Sequence, residues 1–146
     1  MKILISFILG ILLYPASVST AENSDLEIAV KGVRNQVGHV SIAVFNKEDG
    51  FPENIEKAYA LQISEIEKGQ ARFYFEDLPA GEYAFAILHD EDRDGRMKKN
   101  LLGIPREGFA FSLNFRPGFK SPSFRQTSFR IENVNKYMEV EMIYYQ

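Results

Sequence analysis

The chain has no cysteine, no tryptophan and only two histidines, His39 and His89. Without cysteine there is no thiol nucleophile, no disulfide framework, no thiolate metal ligand and no residue near the N-terminus to carry a lipid. Without tryptophan the broadest platform for stacking on a sugar ring is missing. A serine triad needs a base oriented by a third group, and neither histidine sits in a recognisable nucleophile motif. A hydrolytic zinc site asks for three good protein ligands, and the chain has no H-E-x-x-H helix. A basic face is lacking as well. Lys and Arg number 17 against 20 Asp and Glu, a formal net charge of −3, so nucleic acid is not an expected partner. Catalysis is therefore the least supported class, its remaining form being a glycan hydrolase built on a carboxylate pair.

Long apolar runs are absent after the first fourteen residues. The start itself, Met1-Lys2 followed by Ile3 to Tyr14, then Pro15 and the small residues Ser19-Thr20-Ala21, has the layout of a cleavable secretory signal. Its apolar stretch is shorter than the roughly 18 to 20 residues a membrane span needs. The expected organisation is thus a signal over residues 1–21 and one domain over 22–146, exported to the periplasm or beyond, with no transmembrane segment after signal removal. Removing 21 of 146 residues leaves 125 with a net charge of −4, a length that builds a core without staples.

What is present is period-two alternation, the pattern of half-buried strands. Leu26, Ile28 and Val30 form one series, Val40, Ile42 and Val44 another, and Tyr83, Phe85 and Ile87 a third that runs into His89. Strands are also expected near Tyr59–Ser64, Arg72–Glu76, Ser128–Glu132 and Tyr137–Tyr145, with Met138, Val140, Met142 and Tyr144 on one face of the last. A helical turn is expected over Pro52–Lys57. Seven short strands imply an all-β, two-layer antiparallel sandwich of immunoglobulin or transthyretin type. One long ordered loop, Asp90 to Arg125, interrupts the rhythm.

That loop opens with His89-Asp90-Glu91-Asp92-Arg93-Asp94-Gly95. Asp90, Asp92, Asp94 and Gly95 reproduce the first half of a D-x-D-x-D-G calcium loop, in which alternate carboxylates converge on a hard cation, glycine permits the turn and the next main-chain carbonyl, on Arg96, adds a ligand. The second half is missing: Lys98 and Leu101 stand where further ligands belong, so Asn100 and Glu107 serve only if the fold returns them. Arg93, Arg96, Lys98 and Lys99 also balance the acids. Two readings stay open, a weak calcium site and a solvated loop with paired charges, and the missing half favours the second. His89 is expected as a hydrogen-bonded anchor at the sandwich rim.

Gly103, Pro105 and Gly108 punctuate the next turn. Beyond it Phe109, Phe111, Phe115, Phe119 and Phe124 alternate with Arg106, Arg116, Lys120 and Arg125. One reading is a groove, centred on Arg106, Phe109, Phe111 and Arg116, for an anionic or amphipathic ligand. The other is that most of the phenylalanines close the core, since five left exposed would form an aggregation-prone patch; this second reading is favoured.

Two stretches resemble known families. Leu78-Pro79-Ala80-Gly81-Glu82-Tyr83 is similar to the turn-into-strand signature of transthyretin-like and carboxypeptidase-regulatory-like sandwiches, where the tyrosine hydroxyl finds main chain. The run from His89 to Gly95, continued by Gly103-Ile104-Pro105-Arg106-Glu107-Gly108-Phe109 and Phe111-Ser112, resembles the bacterial family known as domain of unknown function 2141, over nearly all of the chain after the signal. Met97-Lys98-Lys99 departs from the family, which often has an acidic residue there. The resemblance implies an exported β-sandwich and brings no reaction with it. The resulting expectation is a non-catalytic exported module of uncharacterised role, with calcium in the acidic loop left as one open reading and an envelope ligand or protein held by the long loop. The alternative is an envelope structural protein without metal.

Overall fold

The computed structural model describes residues 23–118 and 120–145. The expected signal over residues 1–21 and Phe119 of the aromatic segment lie outside the described residues. The elements in chain order are β1 (Ser24–Lys31), β2 (His39–Phe45), a 3-10 turn (Ile55–Lys57), β3 (Ala60–Ser64), β4 (Ala71–Leu78), β5 (Gly81–Asp90), β6 (Gly108–Phe111), a second 3-10 turn (Ser112–Asn114), α1 (Phe124–Thr127), β7 (Phe129–Ile131) and β8 (Lys136–Glu141). They make an all-β sandwich of two sheets, one ordered β4-β1-β8, the other β3-β2-β5-β6 with β7 beside β5. No helix among the described residues is long and apolar enough to cross a membrane.

The alternating series fill the space between the sheets. Leu26, Ile28 and Val30 of β1 meet Val40, Ile42 and Val44 of β2 and Tyr83, Phe85 and Ile87 of β5 in one buried cluster, joined by Phe73, Phe75, Val140 and Met142. Each of these larger side chains stabilises the fold by about 1.5–3 kcal/mol relative to exposure.

Three expectations need correction. The described residues form eight strands, not seven, because the long loop contains β6. Gly108 to Phe111 are all buried, so the segment has no polar face and no alternation to read. The sheets are not wholly antiparallel either, since β1 pairs with β8 in parallel. The turn after β2 is shorter than expected: Phe51-Pro52 is a cis peptide and the helical residues begin only at Ile55, with Asn54 accepting from the Glu56 amide.

Both seams between the sheets are closed by a side-chain amide in the place of a strand. Gln62 Nε2 donates to the Tyr74 carbonyl at 2.7 Å and its Oε1 accepts from the Tyr74 N–H at 3.3 Å. Across the other seam Asn114 Nδ2 donates to the Glu139 carbonyl and its Oδ1 accepts from the Glu141 N–H, both at 2.9 Å. Main-chain groups that would otherwise form open edges are thereby satisfied.

Candidate functional site: the loop between β5 and β6

The pairing of β5 with β6 builds the site. His89 lies opposite Gly108, so the next residues outward, Asp90 and Glu107, emerge side by side where the chain leaves the sheet. Strand β2 begins opposite, with His39 across from Asp90. Both carboxylates are buried, Asp90 at 0 % and Glu107 at 2 % exposure.

Each buried carboxylate accepts two main-chain amides. Asp90 Oδ1 takes the Asp94 N–H at 3.2 Å and its Oδ2 the Gly95 N–H at 2.8 Å; His39 Nε2 lies 3.4 Å from Oδ2. Glu107 Oε1 takes the Glu91 N–H and Oε2 the Lys98 N–H, both at 2.9 Å. Four orphan donors of an irregular turn are satisfied in this way, which is what permits residues 91–98 to hold one conformation.

Of the residues singled out as metal ligands, the fold brings three together. Ligand oxygens of Asp90, Asp92 and Glu107 all lie within 4.8 Å of one another, with Asp92 exposed and the other two buried. Asp94 is not in this group and accepts the Arg96 N–H at 2.8 Å; Arg96 itself is exposed. Asn100 Oδ1 is committed to its own turn, accepting the Leu102 N–H at 2.9 Å and the Ile104 N–H at 3.0 Å. Lys98 Nζ donates to Asp92 Oδ2 at 2.9 Å, and this hydrogen bond holds the Asp92 carboxyl below its usual range. Since a carboxylate offers about four lone-pair sites, the two N–H bonds at Asp90 and at Glu107 leave acceptor capacity for a hard cation.

Beside the cluster lies a cleft of about 540 Å³, lined among others by Arg34, Asp92, Lys98, Asn100, Arg106 and Tyr145. Arg34 closes one side. Its Nε donates to Glu91 Oε1 at 2.9 Å, its Nη2 to Glu91 Oε2 and, at 3.1 Å, to the Arg106 carbonyl. Asn35 Nδ2 adds a bond to Glu91 at 2.6 Å. The Arg34 hydrogen bond, foremost, holds the Glu91 carboxyl below its ordinary value. The guanidinium also sits 4.8 Å above the Tyr144 ring, a cation–π contact.

His89 is wholly buried beneath this floor. Its Nε2 lies 2.8 Å from the Val37 carbonyl and its Nδ1 2.8 Å from Tyr144 Oη. A carbonyl only accepts, so the hydrogen of the uncharged ring is on Nε2 and the tyrosine hydroxyl donates to Nδ1. Burial pushes the Tyr144 hydroxyl up from its usual range. The histidine thus anchors its neighbours, with both nitrogens engaged.

The groove read from the aromatic segment takes a different form. Phe109 and Phe111 are buried with Ile143 in a cluster of their own, and Arg116 is exposed and does not line the cleft; only Arg106 of that set does. The phenylalanines pack because main-chain pairing of Phe109 with Ile143 draws the C-terminal segment over them. Sequence reasoning missed Arg34, Asn35, His39, Tyr144 and Tyr145, which approach from distant parts of the chain (Arg34 and Glu91 are 57 positions apart). No local motif marks them. At the far end of β5 the Leu78–Tyr83 turn behaves as its residue types imply. Tyr83 Oη donates to the Pro79 carbonyl at 2.9 Å, Gly81 opens β5 and pairs with Ile131 of β7, and the tyrosine body is buried.

Neither a curated protein nor a solved structure matches this chain. The protein family described as "uncharacterized protein conserved in bacteria (DUF2141)" matches residues 28–139.

Proposed function

We propose that this chain, which belongs to the DUF2141 family, is an exported, non-catalytic binding module whose working surface is the cleft between the acidic turn and the segment leading into β6. The observation that supports it is the cleft itself: cations and carboxylates converge on about 540 Å³ of open space, while Phe109 and Phe111 are buried below. Such a surface suits a small polar or zwitterionic envelope ligand, held by Arg106 on one part and by the Lys98–Asp92 pair and Asn100 on another. Against His89 as a hydrolytic base stands its complete burial, with both nitrogens bonded. Amide chemical shifts recorded while envelope small-molecule fractions are added test the reading. Shifts at Lys98, Asn100 and Arg106 that vanish in Arg106→Ala support it, and a spectrum unmoved by every fraction defeats it.

A second reading is favoured by the convergence of Asp90, Asp92 and Glu107 within 4.8 Å. Calcium there would serve to fix the turn, with Lys98 displaced from Asp92, in the roughly millimolar affinity range of extracellular modules. A melting temperature raised by about 5 mM calcium in the wild type but not in Asp92→Ala supports calcium. No shift in the wild type removes it and leaves the cleft to organic ligands.

A further inference from the structure

The hairpin that rims the cleft carries at its tip the most exposed apolar residues of the described chain. Leu101 is 106 % exposed and Leu102 83 %, so neither side chain contributes to any core cluster and folding is indifferent to both. The tip is nevertheless well built. Lys99 bridges Pro105, Arg106 N–H donates to the Lys98 carbonyl at 2.7 Å, Asn100 N–H to the Ile104 carbonyl at 2.9 Å and Gly103 N–H to the Asn100 carbonyl at 2.9 Å. The Asn100 side chain takes two further amides, and Gly103 supplies the positive φ of +77° that the turn needs. The two leucines are therefore presented on a rigid apex rather than left on a slack loop.

Within the hairpin itself the charge has one sign, the acids Asp92, Asp94 and Glu107 standing at its base. The eleven residues from Arg96 to Arg106 contain Arg96, Lys98, Lys99 and Arg106 and no acid, in a chain whose net charge is −3. Lys98 is paired with Asp92, while Lys99 and Arg96 are in no ion pair among the described residues. Exposed leucines flanked in sequence by cations match the interface of an anionic bilayer, where apolar tips enter the acyl boundary and basic side chains meet the headgroups. A protein partner is the poorer match. A stable protein interface buries about 800 Å² on each side, whereas a convex two-leucine apex offers a fraction of that and asks for no complementary pocket when the partner is fluid.

We infer that the Lys98–Arg106 hairpin docks this domain on anionic phospholipid surfaces, with Leu101 and Leu102 inserted and Arg96, Lys99 and Arg106 at headgroup level. The inference does not depend on what occupies the cleft.

The absence of tryptophan makes the test local. Leu102→Trp places a single reporter on the apex, and Val134→Trp places one on the exposed turn between β7 and β8, at the opposite end of β5. Each variant of the chain recovered after export is titrated with vesicles of phosphatidylglycerol in phosphatidylcholine and with phosphatidylcholine alone. The expected result is a blue shift and loss of iodide quenching for Leu102→Trp on the anionic vesicles only, with the Val134→Trp signal unchanged. Adding Leu101→Ser should weaken the partition by about tenfold or more, and adding Lys99→Ala by about fivefold. An unshifted Leu102→Trp spectrum overturns the inference, as does an equal shift on neutral vesicles or in both reporter positions. A shift produced without lipid by raising the protein concentration would assign the apex to a second copy of the chain, and likewise overturns it.

Discussion

Gly108 lies flat against the ring of Tyr144: a Cβ built at position 108 would stand 2.3 Å from the nearest ring carbon. Because Gly108 also pairs with His89, and the Tyr144 hydroxyl reaches His89 Nδ1, these three residues meet in one contact group under the cleft, the two rings standing edge to face. The obstacle at Gly108 is steric, since its φ is not in the left-handed region. Gly108→Ala should therefore cost about 1–3 kcal/mol by overpacking. Gly103→Ala, with open space around it but φ at +77°, should cost only about 1 kcal/mol of backbone strain. Urea unfolding of the two variants checks the order.

His89→Leu removes a ring bonded at both nitrogens and leaves the Tyr144 hydroxyl without its acceptor in a part-buried site. An unsatisfied buried polar group costs about 1–3 kcal/mol, so the variant should unfold at correspondingly lower urea. A variant as stable as the wild type would mean that water replaces the ring, and the anchoring role would be lost.

Glu107→Gln keeps the volume but offers one acceptor oxygen in place of two. Either the Glu91 or the Lys98 amide then faces an NH₂ group, at a cost of about 1–3 kcal/mol. Hydrogen exchange should accelerate at residues 91–98 and not in β1 or β2. Uniform acceleration throughout the domain would show that Glu107 supports the whole fold rather than the turn.

Acid should loosen the Arg34 strap. The Glu91 carboxyl titrates below its ordinary 4.5 in the folded protein, chiefly through the Arg34 hydrogen bond. Its folded value is lower than its unfolded one, so the native state binds fewer protons. The resulting stability is present above about pH 4.5 and fades as the pH falls through the depressed value. Between about pH 6 and pH 3 the wild type should lose more stability than Glu91→Gln, whose curve lacks this contribution. Parallel curves would show that the strap does not matter for folding.

Asn114→Ala frees the Glu139 carbonyl and the Glu141 N–H at the edge of β8. An open edge pairs with other chains, so light scattering should detect association of this variant at concentrations where the wild type stays dispersed. Equal scattering would mean that the neighbouring chain alone protects the edge.

The two-sheet sandwich was legible wherever a strand had one wet and one dry face. Leu26, Ile28 and Val30, or Tyr83, Phe85 and Ile87, share one face of their strand because successive side chains point to opposite sides and this side meets the core between the sheets, and no distant residue is needed to see it. Tyr83 with Pro79 was legible for a related reason, as partners only four positions apart. Strand β6 was hidden because both its faces are dry, which erases the period. The acidic turn was visible as a cluster of carboxylates, but its sorting was not. Whether an Asp caps a turn, pairs with a lysine or faces a cation depends on which strand stands beside it. Asp90 and Glu107 are joined by the β5–β6 register, and Arg34, His39 and Tyr144 arrive from strands and loops far away along the chain. Composition and alternation determined the class of fold; the tertiary pairing alone decided which polar groups are buried together, since partners 57 positions apart, such as Arg34 and Glu91, leave no local motif.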